Sequence, residues 1–116
     1  MQPLLAMDSR RAVYRITYPL SERPEFVIGR REHAVVDCSE RGLRFEVSGA
    51  QAPALNSLLE GIVRFRRGEQ VRVTGTVLRC DGSTAVIVLQ GPGIAFSHII
   101  AEQRYLLSRG FDTAHA

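Results

Sequence analysis

This chain of 116 residues contains no lysine, no tryptophan, only two cysteines and no long run of hydrophobic residues. A membrane-spanning helix needs about 18 or more apolar residues in a row, so we expect no membrane insertion and no signal peptide. Cys38 and Cys80 have no histidine at ligand spacing and predict no metal site. We expect both to be structural thiols in a protein of the reducing cytoplasm.

Because lysine is absent, all fifteen basic residues are arginine, and the formal net charge is +3. One explanation is a GC-rich genome, which favours arginine codons whatever the function. The other is a functional demand, because a planar, permanently charged guanidinium with five donors binds phosphate and stacks on bases. Only the positions of the arginines can separate the two explanations.

Length and composition favour a single globular domain. Hydrophobic residues make up 45% and charged residues 23%, which is typical of chains that fold around one core. Residues 1–11 show no strand alternation and little apolar sequence, so we expect a flexible N-terminal arm there. Residues 12–116 are predicted to form the domain.

The first predicted strand begins just after this arm. Tyr14, Ile16 and Tyr18 alternate with polar residues and are predicted to face the core. Arg15 then points to the opposite face, together with Arg11. A helix would also align positions four apart, so the shared face of these two arginines does not depend on the type of element.

Further strands follow in short alternating segments. "EFVIG" predicts a short strand at 25–29, and "EHAVVDCSERGLRFEV" at 32–47 predicts a hairpin whose first strand has Ala34, Val36 and Cys38 on its apolar face. "SGAQAPALNSLLEG" predicts a loop with one helical turn. "IVRFR", "EQVRVTGTVLRC" and "STAVIVLQ" predict three more strands, the last two joined by a turn at Asp81-Gly82-Ser83.

The C-terminal segment is predicted to be an amphipathic helix. Apolar residues recur at helical spacing after "GPG", from Phe96 to Leu107, and Gly110 is a suitable C-terminal stop. Short antiparallel strands followed by one helix predict an all-β fold, a six-stranded antiparallel β-barrel with a C-terminal α-helix, since closing a sheet removes its exposed edges.

One polar constellation stands out in the predicted hairpin. Asp37 and Ser39 lie two residues apart on one strand face, and Gly42 permits a tight turn after them. A carboxylate accepts hydrogen bonds from N–H groups, and guanine offers N1–H and N2–H₂ together on its Watson–Crick edge. Arginine complements this chemistry, because it grips phosphate and stacks on a purine.

Two short motifs resemble those of a known family. "RAVYR", from Arg11 to Arg15, resembles the RxxxR motif, and "DCSERG", from Asp37 to Gly42, resembles the (D/N)xSxxG motif of PilZ domains. These domains are bacterial receptors for cyclic di-GMP. The order of the motifs and the gap of about twenty residues also fit, and the resemblance covers nearly the whole chain. It implies a six-stranded barrel with a C-terminal helix.

The resemblance also implies roles for individual residues. Arg11 and Arg15 would hold phosphates and guanine faces, with the adjacent Arg10 as a third contact. Asp37 and Ser39 would bind a guanine edge. Gly42 would shape the turn beneath it. The chain departs from many family members at one position, where Arg41 replaces a glycine and either crowds the turn or adds a cation beside the ligand.

The expected function is therefore that of a cyclic di-GMP receptor or adaptor. It would couple the second messenger to an effector protein that controls motility, adhesion or exopolysaccharide, as a monomer or weak dimer. We expect no enzyme activity, since Ser39 has no nearby base, and no cofactor, metal or DNA.

Two alternatives remain at this point. The first is a degenerate family member that contacts proteins without binding nucleotide. The second is a small basic barrel that binds nucleic acid, which the lack of an outward row of aromatic residues disfavours.

Overall fold

The computed structural model describes residues 14–48 and 52–111. The predicted arm at 1–11, with Arg10 and Arg11, lies outside the described residues. The described part forms seven strands, one helix and a short 3₁₀ turn at Leu20–Glu22. In chain order the elements are β1 (Ile16–Thr17), β2 (Glu25–Ile28), β3 (Arg31–Cys38), β4 (Gly42–Glu46), β5 (Leu58–Arg64), β6 (Gln70–Asp81), β7 (Thr84–Leu89) and α1 (Phe96–Ser108).

Six of these strands close into an antiparallel barrel. Their order is β3–β2–β5–β6–β7–β4, and β4 pairs back onto β3. The short β1 is an additional strand, which pairs with the end of β3 beyond the stretch that pairs with β2. The predicted six-stranded barrel with a C-terminal helix is confirmed.

The core fills the barrel and continues beneath the helix. Phe26 and Phe45 are fully buried and meet edge to face, with ring centroids 5.0 Å apart. Ile99 and Leu106 of α1 are fully buried in the same cluster. Each such side chain contributes roughly 1.5–3 kcal/mol by leaving water, so the helix is part of the core.

Two buried carboxylates attach α1 to the barrel. Glu102 is 1% exposed and accepts hydrogen bonds from the Tyr18 hydroxyl and from Arg67 Nε, both at 2.6 Å. Glu22 accepts from the Tyr105 hydroxyl at 2.7 Å and from Arg109 Nε at 3.0 Å. Within the described residues, no helix is long and apolar enough to cross a membrane.

The strict alternation predicted for β3 is wrong. Ala34, Val36 and Cys38 were expected on the apolar face, whereas the structure buries Val35 and Cys38 and leaves the other two partly exposed. A register shift between Val35 and Asp37 marks a β-bulge. Because a bulge adds one residue to one strand, the residues after it change faces relative to those before it.

The prediction of a helical turn before β5 is also wrong over residues 52–57. These residues form a turn at 55–56, and β5 already begins at Leu58.

The tight turn after β6 and the end of the helix are as predicted, since Gly82 has φ 61° and Gly110 has φ 91°. Such positive φ angles suit glycine because it has no Cβ.

Candidate functional site

A row of paired residues crosses the outer face of the barrel. Thr17 of β1 is paired with Asp37 of β3, Asp37 with Arg44 of β4, and Arg44 with Val86 of β7. Asp37 lies in this row because of the bulge at Val36. Without that extra residue, alternation from the buried Val35 would turn the carboxylate into the core.

The other described motif residues, Arg15, Ser39 and Gly42, lie near this row. Gly42 of β4 is paired with Val88 of β7. The Ser39 amide donates to the Gly42 carbonyl at 2.9 Å, which closes the turn between β3 and β4. Arg15 precedes β1, and its exposed side chain points to the same face.

This face of the barrel contains a surface cavity of about 230 Å³, which we call the outer-face cavity. Four predicted site residues line it, namely Arg15, Asp37, Ser39 and Gly42. Three further arginines, Arg41, Arg44 and Arg79, also line it, and Val86 and Val88 are among its apolar residues. The structure therefore brings four of the six predicted residues together, and the other two lie outside the described residues.

A chain of ion pairs runs along the outer-face cavity. Arg44 Nε donates to Asp37 Oδ2 at 3.2 Å, and Arg15 Nη1 lies 4.0 Å from Asp37 Oδ1. Asp81 accepts from Arg79 Nε at 2.6 Å and lies 3.8 Å from Arg44 Nη1. Within the described part of the chain, four lining arginines and the two aspartates paired with them, Asp37 and Asp81, sum to a local formal charge of +2. The cavity is therefore suited to a dianion.

In a comparison with protein families, the model of the PilZ domain matches residues 9–111. The chain belongs to the PilZ domain family. Comparisons with curated proteins and with solved structures found no match. PilZ domains are binding and adaptor domains, and the match covers both motifs and every described element.

The role predicted for Gly42 in this PilZ domain needs correction. Gly42 does not have a positive φ, so the turn does not require a glycine there. A Cβ at this position would lie 3.6 Å from Ser39 Oγ and 3.7 Å from the Ile87 carbonyl, which are ordinary contacts. The missing side chain instead keeps the surface between Ser39 and Val88 open.

Arg41 occupies the position where many PilZ domains have a glycine. Its Nη1 donates to the Gly91 carbonyl at 2.8 Å and its Nη2 to the Leu89 carbonyl at 3.4 Å. The Arg41 carbonyl in turn accepts from the Leu89 amide at 2.9 Å. The side chain therefore lies against the segment after β7 and adds a cation at the edge of the outer-face cavity.

Ser39 and Cys38 of the PilZ domain are both buried. Ser39 is 8% exposed, and its Oγ accepts from the Arg41 amide at 3.3 Å. Burial raises the pKa of the Cys38 thiol to about 12, so the reactive thiolate is scarce at neutral pH. Among the described residues, no group of three His, Cys, Asp or Glu side chains could hold a metal ion.

Sequence reasoning missed two arginines of the site. Arg44 had a readable signal, because it alternates with the apolar Leu43 and Phe45 and must face outward. Arg79 had no such signal, because alternation from the buried Val73 and Val77 predicts that it faces the core. Its outward position depends on a second irregularity in the strand.

Proposed function

We propose that this PilZ domain is a receptor for cyclic di-GMP and that it binds the dinucleotide in the outer-face cavity. The observation that carries the proposal is the position of Asp37, which among the described residues is the single carboxylate that lines the cavity, beside four lining arginines. Cyclic di-GMP presents the complementary groups, which are two phosphates with a total charge of −2 and two guanine edges.

Asp37 is the group that would read guanine. Its side chain is 15% exposed, and Arg44 bonds one of its two oxygens. An ionised carboxylate has about four acceptor positions, so Asp37 can still accept from guanine N1–H and N2–H₂. Arg44 would hold the carboxylate in place during this contact.

Arg15 is the described motif arginine that would bind phosphate. Its side chain is 51% exposed, and the nearest carboxylate oxygen among the described residues is 4.0 Å away, which is too far for a strong hydrogen bond. The guanidinium can therefore turn to a phosphate without breaking a hydrogen bond to any described residue. A bidentate contact of this kind is among the stronger ones available to a protein.

Signalling requires that the ligand favour one state of the domain over another. We propose that the bound form acts on an effector protein, with motility, adhesion or exopolysaccharide as the output. The change is proposed to involve residues 1–11, where Arg10 and Arg11 belong. Hydrogen exchange with and without cyclic di-GMP tests this, since equal exchange of the amides before Arg11 in both states would exclude the arm as the switch.

The binding proposal is tested by calorimetric titration with cyclic di-GMP, GMP and a single-stranded oligonucleotide. We expect saturable binding of cyclic di-GMP and much weaker binding of the other two. Binding of none of them would favour a protein-interaction module that takes no nucleotide. Preference for the oligonucleotide would indicate a nucleic-acid-binding barrel. Either result would contradict the proposal.

A further inference from the structure

We propose that Arg79 of β6 is a further ligand-binding residue and that it contacts the second guanosine half of the dinucleotide. This inference rests on the proposed function and extends it to a strand that contains neither motif. Arg79 lines the outer-face cavity on β6, whereas Arg15 and Asp37 line it on the side of β1 and β3.

The outward position of Arg79 results from a β-bulge. Val73 and Val77 are buried, so strict alternation would also bury residue 79. The pairing shifts at this point, because Val77 is paired with Ile87 and Arg79 with Val86. Leu78 is the additional residue, and both it and Arg79 are exposed.

The same device orients Asp37, which belongs to the family motif. A bulge at Val36 turns Asp37 outward, and a bulge at Leu78 turns Arg79 outward. The two side chains then lie in one cross-strand row, linked through Arg44 and Val86. Bulges commonly re-aim a side chain next to a functional site. Two bulges that bring opposite charges to one row indicate a single site.

The surroundings of Arg79 favour a ligand over a purely structural role. Asp81 holds it through Nε at 2.6 Å. Among the residues that the structure describes, its two terminal nitrogens make no hydrogen bond, and the side chain is 49% exposed. Asp81 is thus a positioning residue that leaves the terminal donors directed at solvent and available to an anion or to guanine O6 and N7.

The width of the site, which spans several strands, fits a ligand with two nucleotide halves. From β1 the surface passes over β3, β4 and β7 to β6, and neighbouring strands lie about 4.8 Å apart. A ligand with two nucleotide halves can contact Arg79 while one half remains on Arg15 and Asp37. A mononucleotide held at that end has no second nucleotide half to place on Arg79.

The test compares Arg79→Ala with Arg72→Ala in the full chain. Arg72 is a matched control because it lies on the same strand, is 68% exposed, and has one weak ion pair, at 3.9 Å, with Glu60. Calorimetry should show that Arg79→Ala weakens cyclic di-GMP binding about tenfold, the low end for a charge-assisted contact. Arg72→Ala should change it less than about twofold. GMP binding, followed by NMR titration, should be the same in both variants.

Ionic strength provides a second readout that a structural role would not change. If Arg79 contacts the ligand through its charge, binding by the unaltered protein should weaken more steeply with NaCl than binding by Arg79→Ala. Equal slopes would contradict a charge contact.

The outcomes separate this inference from the proposed function. Unchanged cyclic di-GMP binding by Arg79→Ala, together with weak binding by Arg15→Ala, would overturn the role of Arg79 and leave the receptor function standing. An equal loss of GMP binding would show that Arg79 does not act on the second half. Absence of cyclic di-GMP binding by the unaltered protein would overturn both.

Discussion

Asp37 and Glu102 are both carboxylates paired with arginine, yet they lie in opposite kinds of surroundings. Glu102 lies beneath α1, is 1% exposed, and has both oxygens engaged at 2.6 Å, by Tyr18 and Arg67. Asp37 lies on the outer face, is 15% exposed on its side chain, and has one short contact, at 3.2 Å, with Arg44.

The difference separates a carboxylate that serves the fold from one that is available to a ligand. A carboxylate with both oxygens bonded inside the protein has little left to offer and serves the fold. A carboxylate whose acceptor positions are still open, beside an excess of arginines, can accept hydrogen bonds from a ligand in place of water. An arginine–carboxylate pair alone therefore does not identify a site.

The largest expected effect is the loss of stability when the buried carboxylate Glu102 is replaced. Glu102→Gln leaves the Arg67 guanidinium, 16% exposed on its side chain, without its anion. We expect a loss of about 3 kcal/mol in the free energy of unfolding, the low end for breaking a buried pair, measured by urea denaturation. Glu60→Gln, in the exposed pair with Arg72, is the control and should cost less than about 0.5 kcal/mol. Equal losses would refute the contrast.

The next largest effect is expected on the outer face, where Arg15 is proposed to bind phosphate. Arg15→Ala should weaken cyclic di-GMP binding by about 10- to 100-fold, since a charge-assisted contact contributes about 1.5–3 kcal/mol. The melting temperature should stay nearly constant, because the ion pair that Arg15 forms within residues 14–48 and 52–111 is the long 4.0 Å contact with Asp37. Arg15→Lys should rescue little, since lysine lacks the planar fork. Full rescue by lysine, measured by calorimetry, would show that charge alone matters.

A smaller effect, on affinity rather than on stability, is expected when Gly42 is replaced. Gly42→Ala should leave stability unchanged or slightly raised, because the added Cβ meets only ordinary contacts. Cyclic di-GMP binding should weaken about fivefold, as expected for overpacking by one methyl group. Calorimetry and thermal unfolding of the same sample measure both. A lower melting temperature with unchanged affinity would assign the glycine to the fold.

The smallest effect concerns the second helix attachment. The Tyr105 hydrogen bond and the Arg109 contact lower the pKa of Glu22 from its ordinary value of 4.5. A lowered pKa in the folded state stabilises the fold above that ordinary value, and this contribution disappears as the pH falls through the lowered pKa. The stability of Glu22→Gln, measured by urea denaturation, should therefore approach that of the unaltered protein in acid. A constant difference across pH would contradict this.

Local patterns predicted much of the fold and part of the site. The alternation around Ile16 placed Arg15 outward, and the two turn glycines at 82 and 110 were readable. The bulges were not, because one extra residue in a strand leaves no mark in the alternation of "HAVVDC" or "VTGTVLRC". Asp37 was nevertheless placed outward, while the burial of Val35 was missed.

The buried ion pair of Glu102 was the other feature that could not be predicted from the sequence. Glu102 reads as a polar position of an amphipathic helix, whereas its partners Tyr18 and Arg67 lie 84 and 35 residues away in the chain. No local pattern reveals such a pair, since only the tertiary fold brings its members together.

The central claim, that Asp37 reads a guanine edge, is tested most directly by comparing cyclic di-GMP with cyclic di-AMP in calorimetric titrations. The two ligands carry the same phosphates, but adenine presents an N1 lone pair where guanine has N1–H. Adenine also lacks the N2–H₂ group, so both charge-assisted hydrogen bonds to Asp37 are lost, and cyclic di-AMP is predicted to bind at least about tenfold more weakly. Equal affinities for the two ligands would contradict the account.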